Sequence, residues 1–436
     1  MSTLSPNREC HRTFVGFGFG PIQAGLFLFE ALRSGKFSRA VVAEVIPDVV
    51  TSVRGTGGRF EVNVATSDAT EAYTLGPIEM ENPRVPEDRK RLVAALREAS
   101  EISTAVPSVS FYRSDPAEAS VHQLLAESFS ERKPGAGPVV VYAAENDRRA
   151  AEILEAAVLD AVPSPLRDQV KANVRFANTV VGKMSAVVED TDDIGRAGLR
   201  TVTPDSGRAF LVETFNHILI SSIDFPPDAG FQRGLDVFEE KCDLAPFETT
   251  KLFGHNAIHA LAAYLAAREG FVRMEELRQR ADIVSLLRDA FVDEAGAALC
   301  RRYAGADALF TPERFALYVD DLLERMLNPN LGDLVGRVAR DPVRKLGWND
   351  RLVGSLRFAL EEGVEPRRLA LGAAAALTYH RPDLRLQRGT DRAVAAREIL
   401  AEIWGPACPE ATLASKVSDW IERGLAELEA FGGRKP

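Results

Sequence analysis

The sequence predicts an α/β protein whose first half forms a doubly wound sheet with extra strands and whose second half is mainly helical. Three observations carry this prediction. Short β-rich runs alternate with helical stretches in the first half, a glycine-rich turn follows the first of these runs, and helical periodicity dominates after about residue 240. Such alternation is typical of a parallel sheet covered on both faces. We expect two domains, at 10–235 and 236–436.

The first half supplies the elements of the sheet. The most apolar run, "PVVVYAAEN" at 138–146, predicts a buried central strand, and the later runs predict strands without long helices between them. The predicted elements, in order, are strand 12–17, helix 23–32, strand 40–45, helix 89–99, strand 101–106, helix 121–129, strand 138–146, and strands 174–184, 199–205 and 210–221.

The second half supplies helices after the breaker-rich segment "SIDFPPDAG" at 222–230. Apolar residues recur there at helical spacing over long stretches. The predicted helices are 258–270, 274–303, 312–327 and 413–431.

Composition and charge narrow the class of protein. Apolar residues make up 46% and charged residues 27%, and the formal net charge is −10, which argues against nucleic-acid binding. No stretch reaches the ~18 apolar residues of a membrane span, and the N-terminus lacks an apolar signal core. The cysteines form no CxxC pair, which indicates a reducing compartment, and we expect a cytoplasmic protein. They are Cys10, Cys242, Cys300 and Cys408.

The turn "GFGFGPIQAG" at 16–25 has the features of a dinucleotide-binding loop. Gly18 and Gly20 provide the tight turn and the close approach to a pyrophosphate, and the following helix directs its N-terminus at the anion. Gln23 occupies the third fingerprint position, so the motif is imperfect, and a glycine-rich turn without a ligand is the alternative. Together with the element order, the motif predicts a Rossmann-like domain. The expected cofactor-contacting residues of this loop are Gly18, Phe19, Gly20, Pro21, Ile22 and Gly25.

Glu44 ends the second predicted strand, where an acid suits the 2′-hydroxyl of NAD and repels the 2′-phosphate of NADP. The segment 45–53 contains no lysine or arginine that could bind that phosphate. We therefore expect NAD as the cofactor, with a solvated strand end as the alternative role for Glu44.

The stretch "KLFGHNAIHALAAYL" at 251–265 sets polar residues ahead of an apolar tail. At ~100° per residue, Lys251, His255, His259 and Asn256 fall near ~0°, ~40°, ~80° and ~140°, on one face of a helix. Three interpretations compete. The first is a half-exposed amphipathic helix. The second is a metal site through the two histidines, although Asn256 stands where HExxH sites have their glutamate base. The third is a metal-free alcohol dehydrogenase site, with lysine as the base and amides binding the oxyanion.

The same stretch resembles the signature of the polyol-specific long-chain dehydrogenases/reductases, the mannitol dehydrogenase family. That signature is a lysine, an asparagine five residues later and a histidine three after that, here Lys251, Asn256 and His259. Nearly the whole chain takes part in the resemblance. The other matching segments are "GFGPIQAG" (18–25), "STAVPS" (103–108), "AAEN" (143–146), "LVETF" (211–215) and "NPNLGDLVGRVARDPVRKLGWNDRL" (328–352).

The resemblance implies a role for each matching residue. Lys251 would be the general base, Asn146 and Asn256 would stabilise the substrate oxygen, and His259 would bind substrate. Thr104, Ala105 and Val106 would line the cofactor. The remaining residues that we expect to contact substrate are His255, Glu248, Lys183, Arg344 and Lys345. The resemblance further implies NAD without a metal, a monomer, and a polyol or a polyol phosphate such as mannitol 1-phosphate as substrate.

One departure from the family pattern concerns the substrate side. The family usually reads Val-Asp-Arg-Ile where this chain has Val181, Gly182, Lys183 and Met184, so no carboxylate is available there and a point charge replaces the guanidinium fork. This difference leaves two alternatives open: a dehydrogenase of another polyol or cyclitol phosphate, or a homologue that binds NAD but has lost turnover.

Overall fold

The computed structural model describes residues 12–133, 135–386, 389–408 and 411–431, of which residues 430 and 431 are described by their backbone alone. Cys10 and the first residues of the predicted domain 10–235 lie outside the described residues. The chain forms two compact units, one ending at Leu244 and the other beginning at Ala245. The boundary predicted from the sequence, at 235/236, falls just before the last strand of the first unit.

The first unit contains a large sheet of eight strands in the order β12-β11-β8-β7-β6-β1-β2-β5 and a small sheet in the order β4-β3-β10-β9. The strands are β1 Thr13–Phe17, β2 Arg39–Ala43, β3 Phe60–Ala65, β4 Thr70–Leu75, β5 Glu79–Glu81, β6 Ala99–Thr104, β7 Val139–Ala143, β8 Val174–Val180, β9 Ser185–Val188, β10 Ala209–Glu213, β11 Ile218–Ser221 and β12 Phe238–Lys241.

The large sheet is doubly wound around β1. This strand pairs in parallel with β2 on one side and with β6 on the other, and the chain continues outward to β5 and, on the opposite side, to β7 and β8. The strand order therefore reverses between β1 and β6. In open α/β sheets, ligands bind in the crevice beyond the carboxyl ends of the strands at such a point.

Helices and short turns connect the strands of the first unit. The helices are α1 Phe29–Arg33, α2 Pro47–Gly55, α3 Pro86–Glu98, α4 Val121–Ser130, α5 Ala150–Ala161, α6 Arg167–Asn173 and α7 Thr191–Arg196. A π-helical segment, Gln23–Leu28, leads into α1. The 3₁₀ turns are Val109–Arg113, Ala117–Ala119, Ser164–Leu166 and Pro227–Ala229.

The predicted fold class is confirmed, although individual elements differ from the prediction. The run 199–205 does not form a strand, because its Pro204–Asp205 turn lets Val202 donate its N–H to the Arg208 carbonyl over 2.9 Å. The run 210–221 forms two strands, β10 and β11, which belong to different sheets. Two strands of the small sheet, β3 and β4, were not predicted from the sequence.

The described residues of the second unit form helices that are joined by turns and loops. Its helices are α8 Ala245–Thr249, α9 Asn256–Glu269, α10 Ala281–Asp289, α11 Ala297–Arg302, α12 Pro312–Met326, α13 Val335–Ala339, α14 Pro342–Lys345, α15 Arg351–Glu361, α16 Arg367–His380, α17 Gly389–Trp404 and α18 Ala411–Phe431. Two π-helical segments, Thr250–His255 and Ala290–Gly296, interrupt the regular geometry. The 3₁₀ turns are Met274–Gln279, Ala308–Phe310, Pro382–Arg385 and Gly405–Ala407.

Helix α9 is the core element of this unit. Residues 260–266 are all buried, and Gly372 allows the close packing against α16, because a Cβ at this position would lie 2.8 Å from the side chain of Leu261. None of the helices in the described part of the chain has the length and apolarity of a membrane span.

Candidate functional site

The glycine loop follows β1 at the point where the strand order reverses. Gly18 has a positive φ of 84°, and a Cβ at this position would lie 2.8 Å from the carbonyl oxygen of Ala105, in the loop after β6. Only glycine therefore fits here. The next helix begins at Pro21, so the loop leads directly into a helix N-terminus.

Gly20 differs from Gly18 because a Cβ at this position would meet no protein atom within 4 Å. Protein packing therefore does not require glycine at this position, whereas the close approach of a phosphate group to the backbone would. The turn fits the pyrophosphate of a dinucleotide in this respect. Phe19, between the two glycines, points into the core and contacts the rings of Phe60 and Phe210 at 5.2 and 5.7 Å between centroids.

Gln23, at the imperfect position of the fingerprint, is fully buried. Its Oε1 accepts a hydrogen bond of 2.9 Å from the Ser103 hydroxyl, and its amide lies over the Cα of Gly16, where a Cβ would be 2.1 Å away. The large side chain at this fingerprint glycine position thus fits because residue 16 is a glycine and has no side chain. Gly25, two residues on, packs against Val212 of the small sheet.

The Glu44 carboxylate is buried and turned toward the backbone around it. One oxygen accepts the N–H groups of Val45 and Ile46 at 2.7 and 2.9 Å, and the other accepts the N–H of Phe19 at 2.9 Å. A carboxylate offers about four acceptor sites, and the described residues use three of them, which leaves one on the oxygen that also binds the glycine loop. Glu44 can therefore still accept one ribose hydroxyl, while its charge opposes a 2′-phosphate.

Thr104, Ala105 and Val106 form the loop after β6, next to the glycine loop. The Thr104 hydroxyl and the Val106 N–H donate to the two oxygens of Glu145, at 2.8 and 2.9 Å, and the Tyr112 hydroxyl also donates to this carboxylate. Burial raises the pKa of Glu145. The sequence interpretation missed Glu145, which ties the loop after β6 to the end of β7.

Asn146 follows Glu145 directly and is exposed. Its position beyond the carboxyl end of β7 puts it on the same edge of the sheet as the glycine loop. The backbone on its N-terminal side is fixed through the buried Glu145. An exposed amide on a fixed backbone is available to a ligand.

Lys183 does not offer a free cation. Its amine is buried and donates to the carbonyl oxygens of Glu213 and Phe215 and to the side-chain oxygen of Asn216. An ammonium group has three donors, and these acceptors use all of them. The expected contact of Lys183 with substrate is therefore replaced by a structural role in the connection from β10 to β11.

In the second unit, residues 245–269 form one continuous helix with a π turn at Thr250–His255. The Asn256 N–H donates to the Lys251 carbonyl, which closes the turn. Within 251–260, only Lys251, Leu252, Asn256 and His259 are not buried. The three polar residues of the signature therefore share the accessible face of this helix.

Lys251 is half-buried, and its electrostatic surroundings favour the neutral amine. The pKa of Lys251 is lowered to about 8, chiefly by burial; the nearby carboxylate of Glu248 opposes this shift, and the positive charge of Arg351 adds to it. With a pKa of about 8, roughly a tenth of this lysine is uncharged at pH 7 and about half at pH 8, which supplies the neutral amine that a general base requires.

His259 lies next to a buried acid that the sequence interpretation did not single out. Its Nε2 is 3.2 Å from Oδ2 of Asp333, whose side chain is 1% exposed. The other oxygen of Asp333 accepts from Arg337 at 2.9 Å. Burial alone would raise the pKa of Asp333, but His259 and Arg337 outweigh it, and the pKa is lowered. Asp333 lies in the matched segment 328–352, but no local pattern links it to His259.

His255 is placed differently from its predicted position on the polar face. The residue is buried, its ring centroid is 6.2 Å from that of His259, and burial holds the pKa of His255 well below its usual range. It is therefore a neutral, packed histidine, and we do not include it among the residues that contact substrate. No cluster of three metal-ligating side chains occurs among the described residues.

Lys345, Arg344 and Arg351 form a cationic group at α14 and the start of α15. Burial lowers the pKa of Lys345 to about 8, with further contributions from Arg351 and Arg344. Arg344 is exposed and lies 3.5 Å from Asp350, which also pairs with Arg351 at 2.8 Å. The mutual repulsion of these cations would be relieved by an anion.

The second unit matches a known domain, and most of the chain matches known enzymes. Residues 243–398 match the mannitol dehydrogenase C-terminal domain. The chain is 29% identical to the mannitol-1-phosphate 5-dehydrogenase of Exiguobacterium sibiricum over 85% of its own length and 86% of that protein. It is 31% identical to the enzyme of the same name from an Arthrobacter species over 60% of its length and 62% of that protein.

Two solved structures share the fold over nearly the whole chain. One is D-sorbitol dehydrogenase in substrate-free form, with a TM-score of 0.73 and 14% identity, covering 97% of this chain and 94% of that one. The other is Pseudomonas fluorescens mannitol 2-dehydrogenase in a ternary complex with NAD and D-mannitol, with a TM-score of 0.68 and 16% identity, covering 97% and 93%. These matches confirm the resemblance inferred from the sequence: residues 243–398 match the mannitol dehydrogenase C-terminal domain, and most of the chain is similar to mannitol-1-phosphate 5-dehydrogenases.

Proposed function

We propose that the protein is an NAD-dependent polyol dehydrogenase that interconverts a polyol, or its phosphate, and the corresponding keto sugar. The observation that carries this proposal is the face formed by Lys251, Asn256 and His259, on which the environment lowers the pKa of the lysine to about 8. The names of the enzymes to which the chain is similar support the same class of substrate.

The residues of the first unit fit a dinucleotide. Gly18 and Gly20 would let the backbone approach the pyrophosphate, the helix from Pro21 would direct its N-terminus at it, and Glu44 would accept one ribose hydroxyl. Ala105 and Val106, held by Glu145, would border the same edge. When bound, NAD supplies the hydride acceptor for oxidation, and NADH the donor for reduction.

In the oxidation direction, the neutral amine of Lys251 would take the proton of the substrate hydroxyl. The amide of Asn256 would donate to the oxygen as negative charge develops on it, and the family resemblance assigns the same role to Asn146. In the reduction direction, the protonated Lys251 would return the proton. The lowered pKa supports both steps, because the two protonation states are both accessible near neutral pH.

A phosphorylated substrate is supported by the cations of the second unit. Lys345, Arg344 and Arg351 repel one another, and the carboxylates of Asp350 and Asp341 balance only part of their charge. A phosphate dianion would compensate the remainder and would favour the charged form of Lys345. The name of the relatives at 29% identity points to the same chemistry.

The substrate itself is a matter for direct measurement. Absorbance at the reduced-nicotinamide band would be followed with NAD and NADP on a panel of hexitols, cyclitols and their phosphates, with and without a chelator. We expect turnover with NAD, resistance to the chelator, and a preference for one phosphorylated compound. A preference for a cyclitol phosphate would indicate that Gly182 and Lys183, in place of the family's Asp-Arg pair, change which substrate is bound. Binding of NADH without turnover on any compound would contradict the proposed activity and favour a catalytically impaired homologue.

A further inference from the structure

The two facing atoms of His259 and Asp333 lack other partners. Nε2 of His259 and Oδ2 of Asp333 are both buried, have no hydrogen bond of good geometry to any described residue, and lie 3.2 Å apart. A buried polar atom without a partner costs about 1–3 kcal/mol. A small rotation of the imidazole would let these two atoms form a hydrogen bond with each other. Because a carboxylate oxygen only accepts, this bond requires a proton on Nε2.

The carboxylate of Asp333 cannot turn away from this role. Arg337 donates to its other oxygen through Nε at 2.9 Å and through a terminal nitrogen at 2.7 Å. The backbone on either side is also fixed, because the Asp333 carbonyl accepts the Met274 N–H at 2.9 Å and Leu334 pairs with Arg273. Oδ2 therefore stays directed at His259.

We propose that Asp333 is a positioning residue that keeps the proton of His259 on Nε2 and thereby leaves Nδ1 as a hydrogen-bond acceptor for a substrate hydroxyl. Which of the two imidazole nitrogens carries the proton is set by the hydrogen bond that the other nitrogen makes. Nε2 of His259 is buried, whereas the side chain as a whole retains 13% exposure, so we assign the contact with a ligand to Nδ1. A neutral imidazole with this tautomer accepts from a hydroxyl and repels a phosphate oxygen.

This inference deepens the proposed function and rests on it. It assigns His259 to a hydroxyl of the polyol chain rather than to an anionic group of the substrate. The phosphate, where one is present, would then be bound by the cations at Lys345 and Arg344.

The substitution Asp333→Asn tests the tautomer because Arg337 constrains the new amide. Arginine only donates, so it would hold the amide oxygen and turn the NH₂ group toward His259. Nε2 would then have to accept, and the proton would move to Nδ1. The double variant Asp333→Asn with Arg337→Ala frees the amide to rotate, so its oxygen can again face Nε2.

The first measurement is ¹⁵N NMR of the imidazole rings at about pH 8.5, which is about two units above the pKa of a free histidine. The chain has six histidines, and His259→Gln identifies the signals of His259. We expect a protonated Nε2 in the wild type, a protonated Nδ1 in Asp333→Asn, and recovery of the Nε2 proton in the double variant. A protonated Nδ1 in the wild type would overturn the inference whether or not the protein turns over a polyol.

The second measurement is steady-state kinetics on the substrate that the panel identifies. We expect Asp333→Asn to raise KM about tenfold, the loss of roughly one hydrogen bond, while NADH affinity is unchanged and the double variant recovers part of the loss. If the wild type is active and Asp333→Asn has the same kinetic constants, the positioning role is refuted, but the proposed function stands. An inactive wild type would refute the proposed function, and the NMR result would still decide the tautomer.

Discussion

The backbone N–H of Asn256 donates to the carbonyl oxygen of Lys251, five residues earlier, and so closes a π turn within an otherwise α-helical segment. An α-helix would separate these two side chains by ~140°. A turn with more residues reduces that separation and brings the amine, the amide and His259 to the same accessible face. The π turn is therefore the local feature that assembles the signature residues.

The first prediction concerns the base itself. Lys251→Ala should lower turnover by about 10²–10⁴, because general-base catalysis contributes a factor of that order. NADH binding, measured by fluorescence titration, should be unchanged. Lys416→Ala is the matched control, since Lys416 is an exposed lysine of the same unit. A Lys251→Ala protein that retained most of its activity would exclude this lysine as the base.

The second prediction concerns the charges around Lys251. Glu248 raises the pKa of this lysine and Arg351 lowers it. Glu248→Gln should therefore move the midpoint of the pH profile for oxidation downward, and Arg351→Gln should move it upward. Shifts in the same direction for both variants would show that the titrating group is not the amine of Lys251.

The third prediction uses the two glycines of the loop as a matched pair. Gly18→Ala places a Cβ 2.8 Å from a carbonyl at a positive φ and should destabilise the fold by about 1–3 kcal/mol. Gly20→Ala meets no protein atom, so the thermal midpoint should be preserved while the Kd for NADH rises roughly tenfold or more. Unchanged NADH binding in Gly20→Ala would mean that the pyrophosphate does not lie against this turn.

The fourth prediction concerns the phosphate. Lys345→Met keeps the packing volume but removes the charge, and Arg344→Ala removes an exposed charge beside it. Both variants should raise KM for a polyol phosphate at least several-fold, with little change for the unphosphorylated polyol. Arg367→Ala, at a 68% exposed arginine of the same unit, serves as the control. Equal losses on both substrates would indicate a general structural effect.

Parts of this molecule could be predicted from the sequence because their signals are local. The order of strand, glycine loop and helix at residues 13–33, and the apolar run of β7, specify a doubly wound sheet directly. Strand β4, by contrast, has mostly exposed or half-buried residues and carries no apolar pattern. It forms because it pairs with β3 over its whole length, an interaction that composition does not encode.

The site was partly predictable for the same reason. The signature spacing singled out Lys251, Asn256 and His259, but the same helical period placed His255 on their face, whereas the structure buries this side chain. Lys183 was predicted to contact substrate because of its charge. The carbonyl groups that its amine binds follow from the path of the chain between β10 and β11, which the sequence pattern does not reveal. Asp333 is remote in sequence from His259, so no periodicity could connect them.

The pH dependence of kcat/KM for polyol oxidation tests the central claim most directly, by comparing the wild type with Lys251→Ala under saturating NAD. Because only the neutral amine can accept the proton, the rate should rise with pH and level off above about 8, where the pKa of Lys251 lies. The residual rate of Lys251→Ala should lack this transition. A wild-type profile without a transition near pH 8, or the same transition in the alanine variant, would contradict the assignment of Lys251 as the base.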